Sequence, residues 1–313
     1  MKKILLTVIL NITFSIVTFA ASPMDMRFHC ENDTNKINTL LNEGLKSNLK
    51  TSNELVVFYA NKFLGTPYVA HTLEGETEQL TINIDELDCT TFIETLYALT
   101  RTTLSNRTSW RDYANNLESV RYRNGVIGDY SSRLHYISEW IINNSSRDNL
   151  KDITPDFSKC KYIVKTIDFM SKHRDAYASL KDDEMFNKVK NNEIGFRSHR
   201  FPYIKKEDIN AKSTKATFKS GDFIAMVTNI KGLDVSHLGL VIKENNELYI
   251  SNASMSGGKV QLEKYTFFEY LERVRSCIGV RVFRIKEKQT TQKQYPLREN
   301  CFFSFNHQIH TDQ

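Results

Sequence analysis

The spacing of apolar residues changes once along the chain, near Gly221, and this change constrains the fold more than any other feature. Before it, apolar residues recur at helical spacing; residues 36–50, for example, carry Ile37, Leu41, Leu45 and Leu49. After it come five short runs rich in Val, Ile and Leu, at residues 222–229, 237–243, 247–251, 259–263 and 278–285. Helices followed by strands of an antiparallel sheet predict an α+β fold.

The first half of the chain contains several predicted helices. Residues 53–64 form an amphipathic segment that Gly65-Thr66-Pro67 ends, because proline disfavours helix at the residue before it. Residues 89–100 predict a buried helix, and residues 105–195 are mostly helical by pattern. In that last region we assign three apolar sets to helices: Trp110, Tyr113, Leu117 and Val120; Leu134, Ile137, Trp140 and Ile141; and Ile163, Ile167 and Met170.

The N-terminal 21 residues have the pattern of an export signal. Lys2 and Lys3 precede an apolar run over residues 4–21, which ends in small residues that a signal peptidase recognises. We predict a signal peptide at residues 1–21 that is cleaved, and the alternative is an uncleaved membrane anchor. No other stretch is apolar enough to span a membrane, so we expect a periplasmic or secreted protein without stable membrane insertion after cleavage.

Charge and cysteine content exclude some classes of protein. The net charge of +5 is mild and no long basic block is present, which argues against a nucleic-acid partner. Five cysteines in an exported chain leave at least one thiol unpaired, and the other four allow three pairings that the sequence does not distinguish. No Cys and His spacing is typical of a zinc site, so we predict no bound metal.

Cys89, His237 and Asn252 are the candidate catalytic residues. Cys89 follows Asp88 at the start of a predicted helix, where unpaired backbone N–H groups and the helix dipole favour a thiolate and offer an oxyanion hole. His237 opens a predicted strand. A turn at Asn245-Asn246 makes a hairpin that brings Asn252 to the neighbouring strand, where its amide can orient the imidazole.

Four sequence motifs resemble, in order, those of the NlpC-type cell-wall peptidases, a papain-like superfamily. Residues 88–92, Asp-Cys-Thr-Thr-Phe, resemble the nucleophile motif, and residues 65–69, Gly-Thr-Pro-Tyr-Val, are similar to the upstream tyrosine motif. Residues 220–222, Ser-Gly-Asp, and residues 236–241, Ser-His-Leu-Gly-Leu-Val, are similar to the first-strand and histidine-strand motifs. The resemblance implies a papain-like core in which the cysteine helix packs on an antiparallel sheet or barrel.

A narrower resemblance, over about residues 55–285, is to the AmiA-like N-acetylmuramoyl-L-alanine amidases. It is carried by residues 65–75, 87–94, 130–136, 232–241 and 279–281. It implies an enzyme that cuts the amide between N-acetylmuramic acid and L-alanine in small muropeptides, with no metal or organic cofactor. We therefore predict one catalytic domain at residues 22–285 with a helical insertion at about 105–195, and a polar tail at 286–313. The family usually has His where this chain has Asn252.

We expect the substrate to meet a second set of residues: Tyr68, Asp88, Arg133 and His135. The Tyr68 hydroxyl is a further oxyanion donor. Arg133 is suited to clamp a peptide carboxylate and His135 to bond a sugar; the alternative for both is helix surface or an internal ion pair. Glu94, one turn into the cysteine helix, is assigned a structural hydrogen bond.

Three other functions fit the same motifs. The first is an endopeptidase that cuts the stem peptide between D-glutamate and the diamino acid. The second is a wall-binding module that has kept the fold without catalysis, and the third is an exported effector that uses the same residues on a competitor or host. Only the narrower resemblance favours the amidase over the endopeptidase.

Overall fold

The computed structural model describes residues 26–287. The predicted signal peptide, Cys301 and all but the first two residues of the predicted tail lie outside these residues. The helices are α1 Asp33–Lys46, α2 Ser52–Lys62, α3 Cys89–Leu104, α4 Trp110–Arg121, α5 Ile137–Ser146, α6 Phe169–Lys172, α7 Asp183–Ile194, α8 Lys212–Thr217 and α9 Phe267–Arg273. The strands are β1 Met26–Phe28, β2 Leu80–Ile82, β3 Leu150–Asp152, β4 Cys160–Lys165, β5 His199–Lys205, β6 Phe223–Thr228, β7 Val235–Glu244, β8 Glu247–Ser254, β9 Lys259–Leu262 and β10 Cys277–Ile285.

One antiparallel sheet organises this part of the chain. Its strand order is β4-β5-β10-β6-β7-β8-β9, and β3 pairs with β10 beside this path. The five strands predicted after Gly221 are all present, as β6 to β10. Strands β7 and β8 form a hairpin whose two-residue turn, Asn245-Asn246, has positive φ at both positions, which is typical of a type I′ turn. The α+β prediction is confirmed.

Both faces of the sheet are buried, because alternate residues of a strand point to opposite sides. In β6, Phe223 and Ala225 belong to a core shared with α1 to α5, whereas Ile224 and Met226 belong to a second core with α9. Helix α3 lies against β7 and β8 in the first core. The sheet therefore presents the hairpin to the helix that begins at Cys89.

The Ser-Gly-Asp motif at residues 220–222 has a structural role. Gly221 has a φ of +86°, and a Cβ there would lie 2.5 Å from the Asn53 carbonyl oxygen. Asp222 is fully buried and accepts two hydrogen bonds from Arg284, at 2.7 and 2.9 Å. A buried charge is tolerated when it is paired in this way. The motif thus joins the start of β6 to α2 and β10.

The region of residues 105–195 is less helical than its pattern predicts. Helices α4, α5 and α7 are present, but the third apolar set does not form one helix: Ile163 lies in β4, Ile167 follows it, and Met170 lies in the short α6. The prediction of a helix there was wrong, because β4 alternates exposed and half-buried residues at the edge of the sheet. A third, smaller core that includes Tyr136, Met170 and Val189 lies under this region.

Within residues 26–287, no helix combines the length and the apolar content that a membrane span requires.

Candidate active site

Cys89 is the first residue of α3, and Asp88 is the residue that caps this helix. The Asp88 carboxylate accepts hydrogen bonds from the backbone N–H groups of Thr90 and Thr91, at 2.9 and 2.8 Å. The Thr91 hydroxyl in turn accepts from the Asp88 N–H at 2.8 Å, which completes a reciprocal capping box. The cap thus occupies the N–H groups of Thr90 and Thr91, which were predicted to line an oxyanion hole. The Cys89 N–H is the remaining amide of the first turn that can bind an oxyanion.

Cys89 does not have the activated thiolate that the helix start predicts. Burial and, after it, the negative charge of Asp88 raise the pKa of its thiol to about 12. The Leu238 N–H acts in the opposite direction but does not compensate. The helix dipole is outweighed by burial and by the full negative charge that the cap carries at the same end. The thiol is therefore neutral at neutral pH and needs a base to become a nucleophile.

His237 lies on β7, directly before Leu238. The backbone N–H of Leu238 is close enough to Cys89 to lower the pKa of its thiol, and the Asp88 charge acts on both Cys89 and His237. The pairing of β6 with β7 shifts by one residue at Ser236, directly before His237. Such a β-bulge changes the direction of the following side chain and is common next to active sites. Burial lowers the pKa of His237, so the imidazole is neutral and able to accept a proton.

The hairpin brings Asn252 to His237, as its spacing predicts. Ser251 pairs with Leu240, which places Asn252 diagonally across from His237 on the neighbouring strand. The His237 Nε2 and the Asn252 Oδ1 are 3.1 Å apart, and Asn252 is fully buried. A neutral imidazole must donate here, since an amide oxygen only accepts. Its Nδ1 is then the nitrogen that carries the free lone pair.

Two residues near this pair were not predicted from the sequence. The Asn252 Nδ2 donates to the Glu263 carboxylate at 3.1 Å, and Gln261 donates to the same oxygen at 2.9 Å. Tyr270, on α9, is close enough to Glu263 and Cys89 for both to raise the pKa of its hydroxyl, after the larger effect of burial. The sequence signal for Glu263 is its position at the end of a predicted strand; no signal identifies Tyr270.

Tyr68 lies near Cys89 and Asp88. It is half-buried and packs on the first core, and its main chain bonds to Gly258 and bridges to Leu87, directly before Asp88. Burial raises the pKa of the Tyr68 hydroxyl, and Cys89 and Asp88 raise it further. A phenol with a raised pKa keeps its proton at neutral pH, so Tyr68 is a hydrogen-bond donor beside the thiol.

Arg133 and His135 lie in a loop after a short 3-10 turn rather than on a helix. The Arg133 guanidinium bonds to Glu78 at 2.6 and 3.0 Å and to Glu74 at 2.8 Å, so it is engaged in an internal ion pair. The His135 Nε2 is 2.8 Å from the Tyr130 carbonyl oxygen, and burial lowers the pKa of His135 to about 3. Arg133 is thus already paired with two carboxylates.

A cavity of about 840 Å³ adjoins these residues. His135 and Tyr130 line it together with His71, Glu74 and Tyr177. His71 is only three residues from Tyr68, and three residues span at most about 10 Å. The cavity is thus linked to Tyr68 by a short segment of chain, although Tyr68, Cys89, His237 and Asn252 do not line it.

Glu94 has the structural role that its position predicts. It is buried and accepts a hydrogen bond from Arg121 at 2.7 Å, which also donates to the Thr81 carbonyl at 2.8 Å. Burial raises the pKa of Glu94 and Arg121 opposes this shift.

Among the described residues, Cys30, Cys89, Cys160 and Cys277 form no disulfide. One group in that part of the chain has metal-ligand geometry: Cys30, Asp33 and Asp85 place their ligand atoms within 4.8 Å of one another. The Lys36 ammonium lies 3.7 Å from the Cys30 sulfur and also bonds to Asp85. A fixed cation at this position competes with a metal ion for the same ligands.

The chain matches a family model over residues 59–279, that of the AmiA-like, N-acetylmuramoyl-L-alanine amidase-like proteins. It belongs to this family. An N-acetylmuramoyl-L-alanine amidase from Bacteroides uniformis is 36% identical, with a TM-score of 0.71 over 75% of this chain and 99% of that one. A candidate xylanase from Bacteroides fragilis is 37% identical, with a TM-score of 0.67 over 72% and 99%. A Legionella pneumophila protein, 21% identical with a TM-score of 0.63 over 81% and 95%, shares the fold. Comparison with curated proteins gives no match.

Proposed function

We propose that this member of the AmiA-like family is an exported cysteine amidase that hydrolyses the N-acetylmuramoyl–L-alanine bond of peptidoglycan fragments. The observation that carries the proposal is the joint placement of Cys89, the Leu238 N–H and the His237–Asn252 pair at the start of α3. Family membership supports a peptidoglycan amidase. A helix that bears the cysteine and packs on an antiparallel sheet supports a papain-like core, and an extracytoplasmic site of action follows from the substrate.

The mechanism is acyl transfer with His237 as general base. Because the Cys89 thiol is neutral, the His237 Nδ1 takes its proton as the sulfur attacks the lactyl carbonyl. The tetrahedral oxyanion is held by the Cys89 N–H and the Tyr68 hydroxyl. The intermediate collapses to a thioester as the protonated His237 gives its proton to the departing L-alanine amine. His237 then deprotonates a water that attacks the thioester, and the proton returns to the sulfur as the muramyl acid leaves.

The substrate peptide occupies the cavity beside His71 in this proposal. Tyr68 and Asp88 border the reacting bond, and His135 offers the ring nitrogen that does not bond to Tyr130. Arg133 acts here through Glu74 and Glu78, by fixing the loop that forms one wall, rather than as a clamp on a carboxylate. A cavity of this size suits a fragment and not an intact sheet of wall, which supports small muropeptides as substrates.

The rival functions differ in the bond that is cut. A stem-peptide endopeptidase would use the same three catalytic residues. A xylanase would need two carboxylates on either side of a glycosidic bond. Here Asp88 is bonded to helix amides and Glu263 to Asn252 and Gln261, so neither carboxylate is free for that role.

The deciding experiment is mass spectrometry of defined muropeptides after incubation with residues 22–313. We expect free L-alanine-terminated peptide and the muramyl sugar, and Cys89→Ala should lower the rate by several orders of magnitude while the circular dichroism spectrum is unchanged. Cys160→Ala, which removes another thiol, is the control. Cleavage after D-glutamate would establish the endopeptidase instead, and substantial activity of Cys89→Ala would refute the nucleophile.

A further inference from the structure

We infer that Glu263 is a positioning residue of the active site: it fixes the side-chain amide of Asn252 and thereby selects the tautomer in which His237 acts as a base. The inference rests on the proposed function, since it assigns His237 the role of base for Cys89. Glu263 does not touch the substrate in this assignment; it acts on His237 through Asn252 and, at longer range, through its charge.

The first step of the argument is the direction of the Asn252 amide. The Glu263 carboxylate only accepts hydrogen bonds, so the end of Asn252 that faces it, at 3.1 Å, is the NH₂ group. The oxygen of the same planar amide must then face His237, at 3.1 Å. Asn252 is fully buried, so both contacts are shielded from bulk solvent. The Glu263 carboxylate therefore fixes the amide so that its oxygen, and not its NH₂ group, faces the imidazole.

The second step is the tautomer of His237. Because the Asn252 oxygen only accepts, the His237 Nε2 must carry hydrogen, and the neutral ring leaves Nδ1 unprotonated. If Asn252 were reversed, its NH₂ group would favour the other tautomer, in which Nε2 is bare and Nδ1 holds hydrogen. That tautomer cannot take the proton of Cys89 through Nδ1.

The third step is charge. Where the family usually has His, this chain has Asn252, which cannot become charged. Glu263 bonds to the end of Asn252 that faces away from His237. Its negative charge favours the imidazolium that forms during catalysis. Asp88, at the start of α3, also acts on His237, and Tyr270 of α9 lies near Glu263 and Cys89. Asp88 and Glu263 have the same sign, so removal of Glu263 weakens but does not abolish the stabilisation.

The sheet holds Glu263 in place for this role. Asn252 pairs directly with Gln261 across β8 and β9, and the Glu263 N–H donates to the Ile250 carbonyl at 2.9 Å. Glu263 therefore lies diagonally across from Asn252, at the distance at which side chains on neighbouring strands interact. Gln261 donates to the same carboxylate oxygen at 2.9 Å and restricts its rotation.

The test is a double-mutant cycle on the full mature chain. We expect Glu263→Ala to lower kcat on the muropeptide about tenfold to a hundredfold, with little change in KM. Losses of this size are typical when an outer partner that orients a metal-bound histidine is removed. Glu263→Ala should cost clearly less in the Asn252→Ala background than alone, since its orienting effect passes through that amide and only its charge acts on His237 directly. Glu244→Ala, an exposed carboxylate at the far end of the same hairpin, is the matched control. Additive effects of the two substitutions would overturn the inference.

A second variant separates orientation from folding. Glu263→Gln can still accept from Asn252 but has no charge, so the pKa of His237 should fall and the acid limb of the kcat/KM profile should move to lower pH. In ¹⁵N-histidine NMR spectra, His237 should be the Nε2–H tautomer in the unmodified chain and a mixture in Glu263→Ala. An unmoved acid limb together with an unchanged tautomer would overturn the inference. These results stay separate from the proposed function, which fails only if Cys89→Ala is active or another bond is cut.

Discussion

At the scale of single residues, Asn252 connects the candidate base to a carboxylate. It has the geometry of an orienting group, because it is buried, its oxygen contacts the His237 ring and its nitrogen contacts the Glu263 carboxylate. The amide is neutral, and the Glu263 carboxylate behind it supplies a negative charge near His237. Orientation of the His237 ring and the negative charge near it thus come from two different side chains, Asn252 and Glu263.

We predict that Asn252→Ala lowers kcat about tenfold to a hundredfold, because the base is present but no longer oriented. His237→Ala should cost more, since general-base catalysis contributes about a hundredfold to ten-thousandfold. Asn252→His should retain much of the activity because it restores the residue that the family usually has. The measurement is kcat and KM on a defined muropeptide, with the exposed Asn191→Ala as control. An unimpaired Asn252→Ala enzyme would contradict the prediction.

At the scale of elements, the start of α3 serves two purposes that conflict. The capping box of Asp88 stabilises the helix, but its charge raises the pKa of the thiol that the helix presents. The protein therefore gains a well-defined helix start, and in the proposed mechanism it relies on His237 to activate the thiol. This is why a cysteine at a helix N-terminus is a weaker sign of a thiolate than the dipole alone indicates.

We predict that Asp88→Asn makes Cys89 react with iodoacetamide at lower pH than the unmodified chain. The amide still accepts hydrogen bonds from the helix, but the charge that raises the pKa of Cys89 is gone. Asp88→Ala should in addition lower the free energy of unfolding by about 1 kcal/mol, the usual value of an N-cap. The pH dependence of alkylation tests this. Asp182→Asn, at the N-cap of α7, is the control and should not change the pH dependence of alkylation. If both variants shift this pH dependence equally, Asp88 has no specific effect on Cys89.

The strands after Gly221 could be predicted from the sequence, because each is a short apolar run between turn residues. Strands β4 and β5 could not: Tyr162 and Val164 are exposed, and Pro202 interrupts β5. In the site, the hairpin spacing was enough to place Asn252 at His237. The position of Glu263 depends on the register between β8 and β9, and that of Tyr270 on where α9 packs, neither of which a single segment encodes.

At the scale of the whole molecule, buried neutral histidines make stability depend on pH. Burial lowers the pKa of His135 from 6.5 to about 3 in the folded chain. Below pH 6.5 the unfolded chain binds a proton at this position and the folded chain does not, so stability falls as the pH falls toward 3. Above pH 6.5 the ring is neutral in both states and contributes no pH dependence.

We predict that His135→Gln removes part of the acid sensitivity. The unmodified chain should lose about 2 kcal/mol of unfolding free energy between pH 6.5 and 5 through this residue, at about 1.4 kcal/mol per pH unit. Glutamine keeps an N–H donor for the Tyr130 carbonyl but does not titrate. Urea unfolding at pH 7 and pH 5 measures the difference, with the exposed His173→Gln as the reference. If His135→Gln and the unmodified chain lose equal stability on acidification, the assignment is wrong.

His237 and Asn252 are fifteen positions apart in one hairpin, whereas Cys89 comes from the other half of the chain. Contacts of short sequence separation close at lower entropic cost than distant ones. The hairpin can therefore orient the imidazole by itself, but the sulfur reaches it only when α3 packs on β7 and β8. Under the proposed mechanism, hydrolysis requires the complete topology, and a partly folded chain would be inactive.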